Sequence, residues 1–260
     1  MKDQLHRSVN LIHTPKRIVS LVPSQTELLV DLGLEEAIVG ITKFCVHPNH
    51  LLQHKTVVGG TKQVHLSKIK DLHPDLILCN KEENTIAMVE ELEKLAPVHI
   101  SDVNTFEDAI GLIEQYGLLF SKEQTAYRLI NSIQEKRREL AAFIKDKPKK
   151  SVAYFIWKNP WMVAASETFI NELLTESGFL NYFGSQQRYP EILLNAKLPE
   201  SPDLVFLSSE PFPFKQEHKL IIQDYFPKAT ISIVDGEMFS WYGSRLLKAF
   251  DYFKTLHQHH

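Results

Sequence analysis

Hydrophobic positions along the chain alternate between short apolar runs and longer amphipathic stretches, a pattern typical of an α/β protein with parallel strands. The first apolar run, 17–22, predicts a strand, and the residues after it predict a helix that reaches Leu32. We expect Ser24 or Thr26 to cap this helix by accepting from its free N–H groups, and Gly33 to end it. Further strands are predicted at 38–41, 56–58 and 75–79, and further helices at 83–95 and 106–120.

One amphipathic stretch is much longer than the others. Between 121 and 147, apolar residues recur at spacings of three, four and seven, with charged residues between them and without a Gly or Pro. This periodicity predicts one helix of roughly 25 residues and about 37 Å. A surface helix of a single domain would show the same pattern, but the length of this helix and its place at the middle of the chain favour a rigid connection between two halves.

The second half of the chain starts the strand pattern again at 151–157 and contains a short internal echo. The sequence at 73–78 is HPDLIL, and the sequence at 201–206 is SPDLVF. In both places a Pro-Asp pair ends a helix-like stretch and precedes a buried strand. We therefore predict two similar α/β lobes and one connecting helix. Their predicted bounds are 9–120 and 149–260 for the lobes and 121–148 for the helix.

Composition and charge exclude several classes of protein. The chain of 260 residues is 43% hydrophobic and 23% charged, which is typical of a globular protein and not of a disordered chain. The net charge of −3 provides no broad basic surface for nucleic acid. Cys45 and Cys79 form no disulfide framework, although a single bridge between them stays open.

The sequence contains no signal for crossing or entering a membrane. No apolar run approaches the roughly 18 residues that span a bilayer. The segment 1–16 lacks the apolar core of a signal peptide. We therefore expect either a cytoplasmic protein or a protein whose leader was removed.

The segments that leave the predicted strands carry most of the candidate chemistry. Open α/β sheets bind ligands outside the carboxyl ends of their strands, and in a two-lobed protein these ends are expected to enclose a cleft. All three tryptophans lie in these segments, together with Phe239 and Tyr242. A single aromatic side chain there could simply plug a loop against the sheet. Three tryptophans favour an aromatic wall for a large, flat, partly apolar ligand.

Other motifs point to binding more than to catalysis. His47 follows Cys45 in a Cys-x-His pair, but a structural metal site normally needs four ligands, so we expect His47 to face the cleft and predict no protein-built metal site. Ser24 lacks the Gly-x-Ser-x-Gly context of a hydrolase nucleophile. No glycine-rich nucleotide-binding motif is present. The sequence KEEN at 81–84 fits either a solvated helix start or a polar element of the cleft.

Several short sequences fit a known pattern. They are RIVSLVPS at 17–24, VGG at 58–60, LHPDLI at 72–77, WKNPW at 157–161, SSEP at 208–211 and FSWYGSR at 239–245. The first three resemble the helical-backbone substrate-binding proteins of ABC importers, a family that includes the cobalamin-binding protein and receptors for haem, ferric siderophores and metals. The last three look most like the cobalamin-binding branch. The resemblance covers about residues 9–256 and implies two Rossmann-like lobes with parallel sheets, joined by one long helix, with the ligand cleft between them.

The resemblance, with the chemistry of the loops, implies a non-enzymatic and monomeric substrate-binding protein for ABC-type uptake. Its expected ligand is a corrinoid such as cobalamin, haem or a ferric siderophore, with no intrinsic cofactor. The expected apolar wall consists of Trp157, Trp161, Phe239, Trp241 and Tyr242. The other expected ligand contacts are Pro23, Ser24, Lys43, Phe44, His47, Gly60, Lys81, Glu82, Arg188, Tyr189, Glu210 and Glu237.

A competing interpretation is an intracellular enzyme or chaperone that handles a tetrapyrrole or metal complex without a permease partner. His47 or Glu82 would then act as general acid or base. Retained ligand without turnover favours the binding protein, whereas product formation favours the enzyme.

Two features depart from the family pattern. Members that dock on a permease present one acidic residue from each lobe to arginines of the transporter. The aligned positions are Ser67 and Asn195, although Glu191 lies close to the second. The missing leader is the other departure. We expect weak or no binding to a cobalamin-type permease, a periplasmic or cell-surface location if a leader was removed, and a cytoplasmic location if the sequence is complete.

Overall fold

The computed structural model describes residues 1–194 and 201–260. The strands in this part of the chain are β1 Ile18–Ser20, β2 Ile38–Ile41, β3 Thr56–Val57, β4 Leu76–Asn80, β5 Val98–Ser101, β6 Ser151–Trp157, β7 Met162–Val163, β8 Leu180–Asn181, β9 Leu204–Ser208 and β10 Thr230–Val234. The α-helices are α1 Pro23–Asp31, α2 Leu51–His54, α3 Leu66–Asp71, α4 Ile86–Leu92, α5 Phe106–Leu119, α6 Glu123–Ile144, α7 Phe169–Glu176, α8 Gln216–Tyr225, α9 Glu237–Ser240 and α10 Leu246–His259. This order confirms the predicted α/β class.

The first sheet contains five parallel strands in the order β3-β2-β1-β4-β5. The central strand is β1, in which Ile18 lies opposite Ile38 of β2 and Leu76 of β4. Both β1 and β4 are buried along their whole length, as expected for parallel strands with helices on both faces. The strand order reverses between β1 and β4, which is where open α/β sheets bind ligands.

The second sheet has the order β10-β9-β6-β7, and β8 also pairs with β6. The strands β10, β9, β6 and β8 are parallel, whereas β7 runs antiparallel to β6. Only the short segment 158–161 joins β6 to β7, and a parallel neighbour would need a crossover of a dozen or so residues. The predicted parallel sheets are therefore confirmed, with an antiparallel strand at this one edge.

The start of α1 differs from the prediction. Val22 precedes the helix, no side chain caps it, and Pro23 lies in its first turn. Proline suits this position because its missing N–H would have no helical partner there. Thr26 lies inside the helix, with its hydroxyl 2.8 Å from Ser20 Oγ and 3.0 Å from the Val22 carbonyl oxygen. The prediction that Ser24 or Thr26 caps α1 is wrong.

The other helix ends have clear local causes. Gly33 ends α1 as predicted, with a φ of 75° that a residue with a Cβ rarely adopts. The helix predicted at 83–95 is shorter and begins later, as α4. Thr85 accepts a hydrogen bond from the N–H of Met88 and so caps its first turn. The long helix predicted at 121–147 is α6, which is continuous over 22 residues.

The chain forms two compact units. Unit 1 consists of Met1–Val103, Glu107–Ile133 and Trp241–Arg245, and unit 2 consists of Asn104–Phe106, Gln134–Ser240 and Leu246–His260. The helix α6 therefore contributes residues to both units. The segment Trp241–Arg245 belongs to unit 1, while α9 before it and α10 after it belong to unit 2. The sequence-based lobe bounds, 9–120 and 149–260, stay a prediction.

The Pro-Asp echo has the same structural role in both units. Asp75 precedes β4, and its carboxylate accepts from the N–H groups of Lys16 at 2.7 Å and Arg17 at 3.0 Å, just before β1. Asp203 precedes β9, and its carboxylate accepts from the N–H of Ser151 at 2.7 Å, at the start of β6. Since β4 pairs with β1 and β9 pairs with β6, each aspartate ties two neighbouring strands together. This repetition supports the prediction of two similar lobes.

Each unit has its own hydrophobic core. Leu21, Ile77 and Ile100 lie in the core of unit 1, and Phe155 and Val205 lie in the core of unit 2. None of the described helices combines the length and the apolar character that crossing a membrane requires.

Candidate functional site

Polar side chains tie together the loops at the carboxyl edge of the first sheet. Asn80, the last residue of β4, accepts from the N–H of Glu82 at 2.8 Å and donates to Ser101 Oγ at 3.0 Å, at the end of β5. Asn84 donates to the carbonyl of Thr61 at 2.8 Å, after β3. These bonds hold three loops in a fixed relation at the edge where the sequence predicts ligand contacts.

The loop after β2 presents an exposed aromatic ring at this edge. Phe44 is 49% exposed, and the ammonium of Lys43 lies 5.0 Å from its ring centroid. A Cβ on Gly60 would come within 3.2 Å of the Phe44 ring, so the glycine leaves room for it. These three predicted contacts therefore lie together.

The remaining predicted contacts of this edge differ in exposure. Lys81 forms an ion pair with Asp102 at 2.6 Å. Glu82 is half-buried, and its carbonyl accepts from the ammonium of Lys62. Pro23 and Ser24 are buried in the first turn of α1, and His47 is half-buried.

Tyr242 belongs to a buried hydrogen-bond network in unit 1 that is centred on Gln25. The amide nitrogen of Gln25 donates to Ser101 Oγ at 2.6 Å and to the Tyr242 hydroxyl at 3.1 Å. The amide oxygen of Gln25 accepts from the Tyr116 hydroxyl at 2.6 Å. Burial raises the pKa of both tyrosines, so the two hydroxyls stay protonated. The network holds Tyr242 by its hydroxyl.

Trp241 lies beside a buried ion pair of the same unit. Arg245 donates from Nε to Glu27 Oε2 at 2.8 Å, and its guanidinium lies 4.8 Å from the centroid of the Trp241 ring. The His47 and Trp241 rings form an edge-to-face pair at a centroid distance of 5.5 Å. Trp241 itself is only 7% exposed.

Sequence analysis did not assign Gln25, Glu27, Ser101 or Arg245 to the site. The signal was present in α1, where two long polar residues occupy the first turns next to Leu28. Polar side chains that are buried at the start of a helix need hydrogen-bond partners. The sequence did not show where those partners lie.

An aromatic cluster lies at the carboxyl edge of the second sheet, formed by Trp157, Trp161, Phe212 and Phe214. Trp157 ends β6, is 39% exposed and contacts Phe212 edge-on at a centroid distance of 5.7 Å. Trp161 stacks on Phe214 at 6.1 Å with nearly parallel rings. Phe212 and Phe214 lie 4.8 Å apart. Two of the predicted wall residues are therefore held in one connected group of rings.

Phe239 is placed differently from these rings. It is fully buried, and its ring lies 5.1 Å from that of Tyr154 in the interior of unit 2. Glu210 accepts a hydrogen bond from the Ser240 hydroxyl at 2.7 Å, and Glu237 is the half-buried first residue of α9. Phe239 thus packs the core, while the two glutamates flank the loops after β9 and β10.

Arg188 and Tyr189 lie on the loop after β8. Arg188 donates to the carbonyl of Glu167 at 2.8 Å, and its guanidinium lies 5.7 Å from the Tyr189 ring centroid. The predicted contacts are divided between the two units. Trp241 and Tyr242 belong to unit 1, and unit 2 contains Trp157, Trp161, Phe239, Arg188, Tyr189, Glu210 and Glu237. The single wall and the cleft between lobes stay predictions.

Within the described residues, both cysteines are buried and the side chains that could bind a metal do not cluster. Cys45 and Cys79 are buried free thiols, and burial raises the pKa of Cys79 to about 12. Burial also raises the pKa of Cys45. No group of three or more His, Cys, Asp or Glu side chains in this part of the chain could hold a metal ion.

Exposed aromatic rings lie at the carboxyl edge of each sheet, Phe44 in unit 1 and Trp157 in unit 2. The position of these groups at the carboxyl edges of parallel sheets is that of ligand-binding α/β proteins. The sequence profile of periplasmic binding proteins matches residues 18–224. The chain belongs to this family.

Curated relatives and a solved structure agree with this membership. The chain is 27% identical over 212 residues to an ABC transporter substrate-binding lipoprotein of Bacillus subtilis, covering 78% of this chain and 67% of the relative. It is 23% identical over 195 residues to a vitamin B12-binding protein of Vibrio campbellii, covering 74% and 70%. A periplasmic heme-binding protein of Pseudomonas aeruginosa superposes with a TM-score of 0.82 at 21% identity, over 93% of this chain and 92% of that chain. These likenesses confirm the predicted family and fold.

The positions predicted for permease docking are only partly described. Ser67 is exposed on α3, and Glu191 is exposed beside β7, where it pairs with Met162. Asn195 lies outside the described residues.

Proposed function

We propose that this chain is a non-enzymatic, extracytoplasmic substrate-binding protein of an ABC importer, and that its ligand is a corrinoid, a haem or another iron chelate. Family membership supports a small-molecule ligand. The names of the relatives, which bind vitamin B12 or heme, support the ligand class.

The observation that carries the proposal is the exposed aromatic surface at the carboxyl edge of each sheet. Phe44 in unit 1 is 49% exposed and Trp157 in unit 2 is 39% exposed. Exposed rings of this size lose water favourably against a flat macrocycle. The ammonium of Lys43 and the half-buried imidazole of His47 add polar contacts for the periphery of such a ligand.

The comparisons support the binding protein and not the alternative enzyme or chaperone. In the alternative, His47 or Glu82 would exchange protons with a substrate. Chemical analysis of the ligand after release distinguishes the binding protein from the enzyme, because a binding protein returns its ligand unchanged.

Ligand identity is tested on protein purified from its native host. We expect an absorption band in the visible region and a bound mass that matches a corrinoid, a haem or a ferric chelate. Protein that carries a different class of molecule would contradict the proposed ligand.

The aromatic surface is tested by substituting one ring at a time. Trp157→Ala and Phe44→Ala should each weaken binding by about 1–3 kcal/mol, which is typical of aromatic anchors. Tyr127→Ala is a matched control, because Tyr127 is 66% exposed on α6 and is not one of the predicted ligand contacts. Equal effects of all three substitutions would contradict the proposed surface.

Permease docking follows from the family but conflicts with the residue at position 67. An arginine that meets Ser67 instead of a carboxylate keeps no charge partner, which weakens association. We propose weak binding to a cobalamin-type permease and stronger binding by the Ser67→Glu, Asn195→Glu protein. A pull-down with the host's own permease decides this, and tight, salt-sensitive binding of the unsubstituted protein would contradict it. Fractionation of the host tests the extracytoplasmic location, and sedimentation tests the predicted monomer.

A further inference from the structure

The ion pair between Glu27 and Arg245 is almost fully removed from water. The side chains are 7% and 4% exposed, and Nε lies 2.8 Å from Oε2. A buried pair of this kind contributes little net stability compared with apolar residues of the same size, because desolvation offsets the attraction. Its presence therefore calls for a role other than stability.

The geometry around the pair connects it to two predicted ligand contacts. The Arg245 guanidinium lies 4.8 Å from the Trp241 ring centroid, and the Trp241 ring lies 5.5 Å from that of His47, at an interplanar angle of 74°. Glu27 is on α1, directly after the central strand of the first sheet. The series Glu27, Arg245, Trp241 and His47 thus runs from the helix at the switch point of the sheet to a half-buried imidazole at its edge.

The backbone of the 241–245 segment fits this connection. Gly243 has a φ of 88°, and a Cβ there would lie 3.3 Å from Leu28 Cβ. Glycine is thus the residue that allows the segment to lie against α1. In this segment, Glu27 holds the Arg245 side chain by the bond from Nε to Oε2.

We infer that Glu27 and Arg245 are positioning residues that fix the Trp241 indole and, through it, the His47 imidazole for ligand binding. The inference rests on the proposed function for the role of His47. Arginine suits this position better than lysine, because the planar guanidinium presents several donors in a fixed geometry to the carboxylate while it lies over the indole. The Glu27→Gln change keeps the shape of the side chain and removes its charge.

The first test needs no ligand. In a Trp157→Phe, Trp161→Phe protein, Trp241 is the only tryptophan, so its emission reports on its surroundings alone. Glu27→Gln and Arg245→Lys should each shift this emission to longer wavelength and increase its quenching by acrylamide. Glu176→Gln is the matched control, because Glu176 pairs with Arg137 at 2.7 Å and Arg137 lies over the Phe106 ring, all in unit 2. Unchanged emission in both Glu27 and Arg245 variants would overturn the inference.

The second test measures binding of cyanocobalamin and haemin by proteins with Glu27→Gln, His47→Ala or both. We expect Glu27→Gln to weaken binding of the preferred probe by about tenfold when His47 is present, which corresponds to about 1.4 kcal/mol. It should have little further effect in the His47→Ala protein, because a positioning residue acts through the group that it positions. Equal weakening in both backgrounds would overturn the inference.

Two outcomes need a further comparison, namely a variant that does not fold and a protein that binds neither probe. If the Glu27→Gln protein does not fold, the Glu27→Leu, Arg245→Met protein takes its place, because a protein with apolar side chains in place of a buried ion pair is expected to fold. This protein should show the same emission shift and the same dependence on His47. If neither probe binds the unsubstituted protein, the proposed ligand class is wrong, and the emission of Trp241 still decides whether the pair positions it.

Discussion

Replacing Gln25 with leucine should destabilise unit 1 by about 2–4 kcal/mol. The Gln25 amide is buried and accepts from the Tyr116 hydroxyl at 2.6 Å. Leucine has nearly the same size but leaves this hydroxyl without its acceptor, which costs about 1–3 kcal/mol for a buried group. The lost bonds to Ser101 and Tyr242 add about 1 kcal/mol. Their share is small because these two hydroxyls lie 3.3 Å apart and keep each other as partners.

Urea unfolding of the unsubstituted protein and of the Gln25→Leu protein measures this difference in the free energy of unfolding. The midpoint should fall while the slope of the transition stays the same, since the buried area hardly changes. Gln124→Leu is the control, because the same substitution at an exposed position on α6 should alter stability by less than about 0.5 kcal/mol.

A second substitution tests the proposed cause. Tyr116→Phe removes the unpaired hydroxyl, so the Gln25→Leu, Tyr116→Phe protein should be more stable than Gln25→Leu alone. If the double variant is no more stable, or if Gln25→Leu costs less than about 0.5 kcal/mol, the reasoning about this network is refuted.

Three further predictions concern the two units and the helix that contributes to both. Asp75→Ala and Asp203→Ala should each cost about 1–2 kcal/mol in urea unfolding, because each loses hydrogen bonds to the start of a neighbouring strand; a large effect at only one of them would contradict their equivalence. Burial lowers the pKa of His99 below its ordinary value of 6.5. The free energy of unfolding should therefore fall as the pH drops below about 6.5, because the unfolded chain then gains a proton that the folded chain does not. His99→Gln should reduce this slope, and an unchanged slope would exclude His99 as its source. Ile133→Pro should cost about 3 kcal/mol or more by breaking α6, measured by circular dichroism and unfolding, whereas an intact helix signal and full stability would contradict a continuous α6.

The elements that the sequence predicted well are those in which local pattern and burial agree. The run at 152–157 is apolar, because β6 has a strand on each side of it and is buried along most of its length. The apolar periodicity of α6 reflects one buried stripe on a long helix. The Pro-Asp echo was visible because the same aspartate-to-backbone bonds recur in both units.

The sequence was least informative at the start of α1 and where residues distant along the chain determine the packing. Ser24 and Thr26 have the chemistry of caps, but α1 begins at Pro23, so both lie inside the helix and Val22 occupies the capping position. Phe239 lies in a motif rich in candidate contacts, yet the rings around it bury it completely. No local pattern shows that Trp241 packs on an arginine held by a glutamate more than 200 residues earlier.

The central claim is that the chain binds a corrinoid, a haem or an iron chelate without changing it. Its most direct test is equilibrium titration of the purified, ligand-free protein with cyanocobalamin, haemin and a ferric hydroxamate. Tryptophan emission and calorimetry monitor the binding of each probe. We predict saturable one-to-one binding of one of the three with a dissociation constant of about 1 μM or lower, quenched emission, and recovery of the probe unchanged. No saturable binding of any of them, or conversion of the bound probe to a product, would contradict the claim.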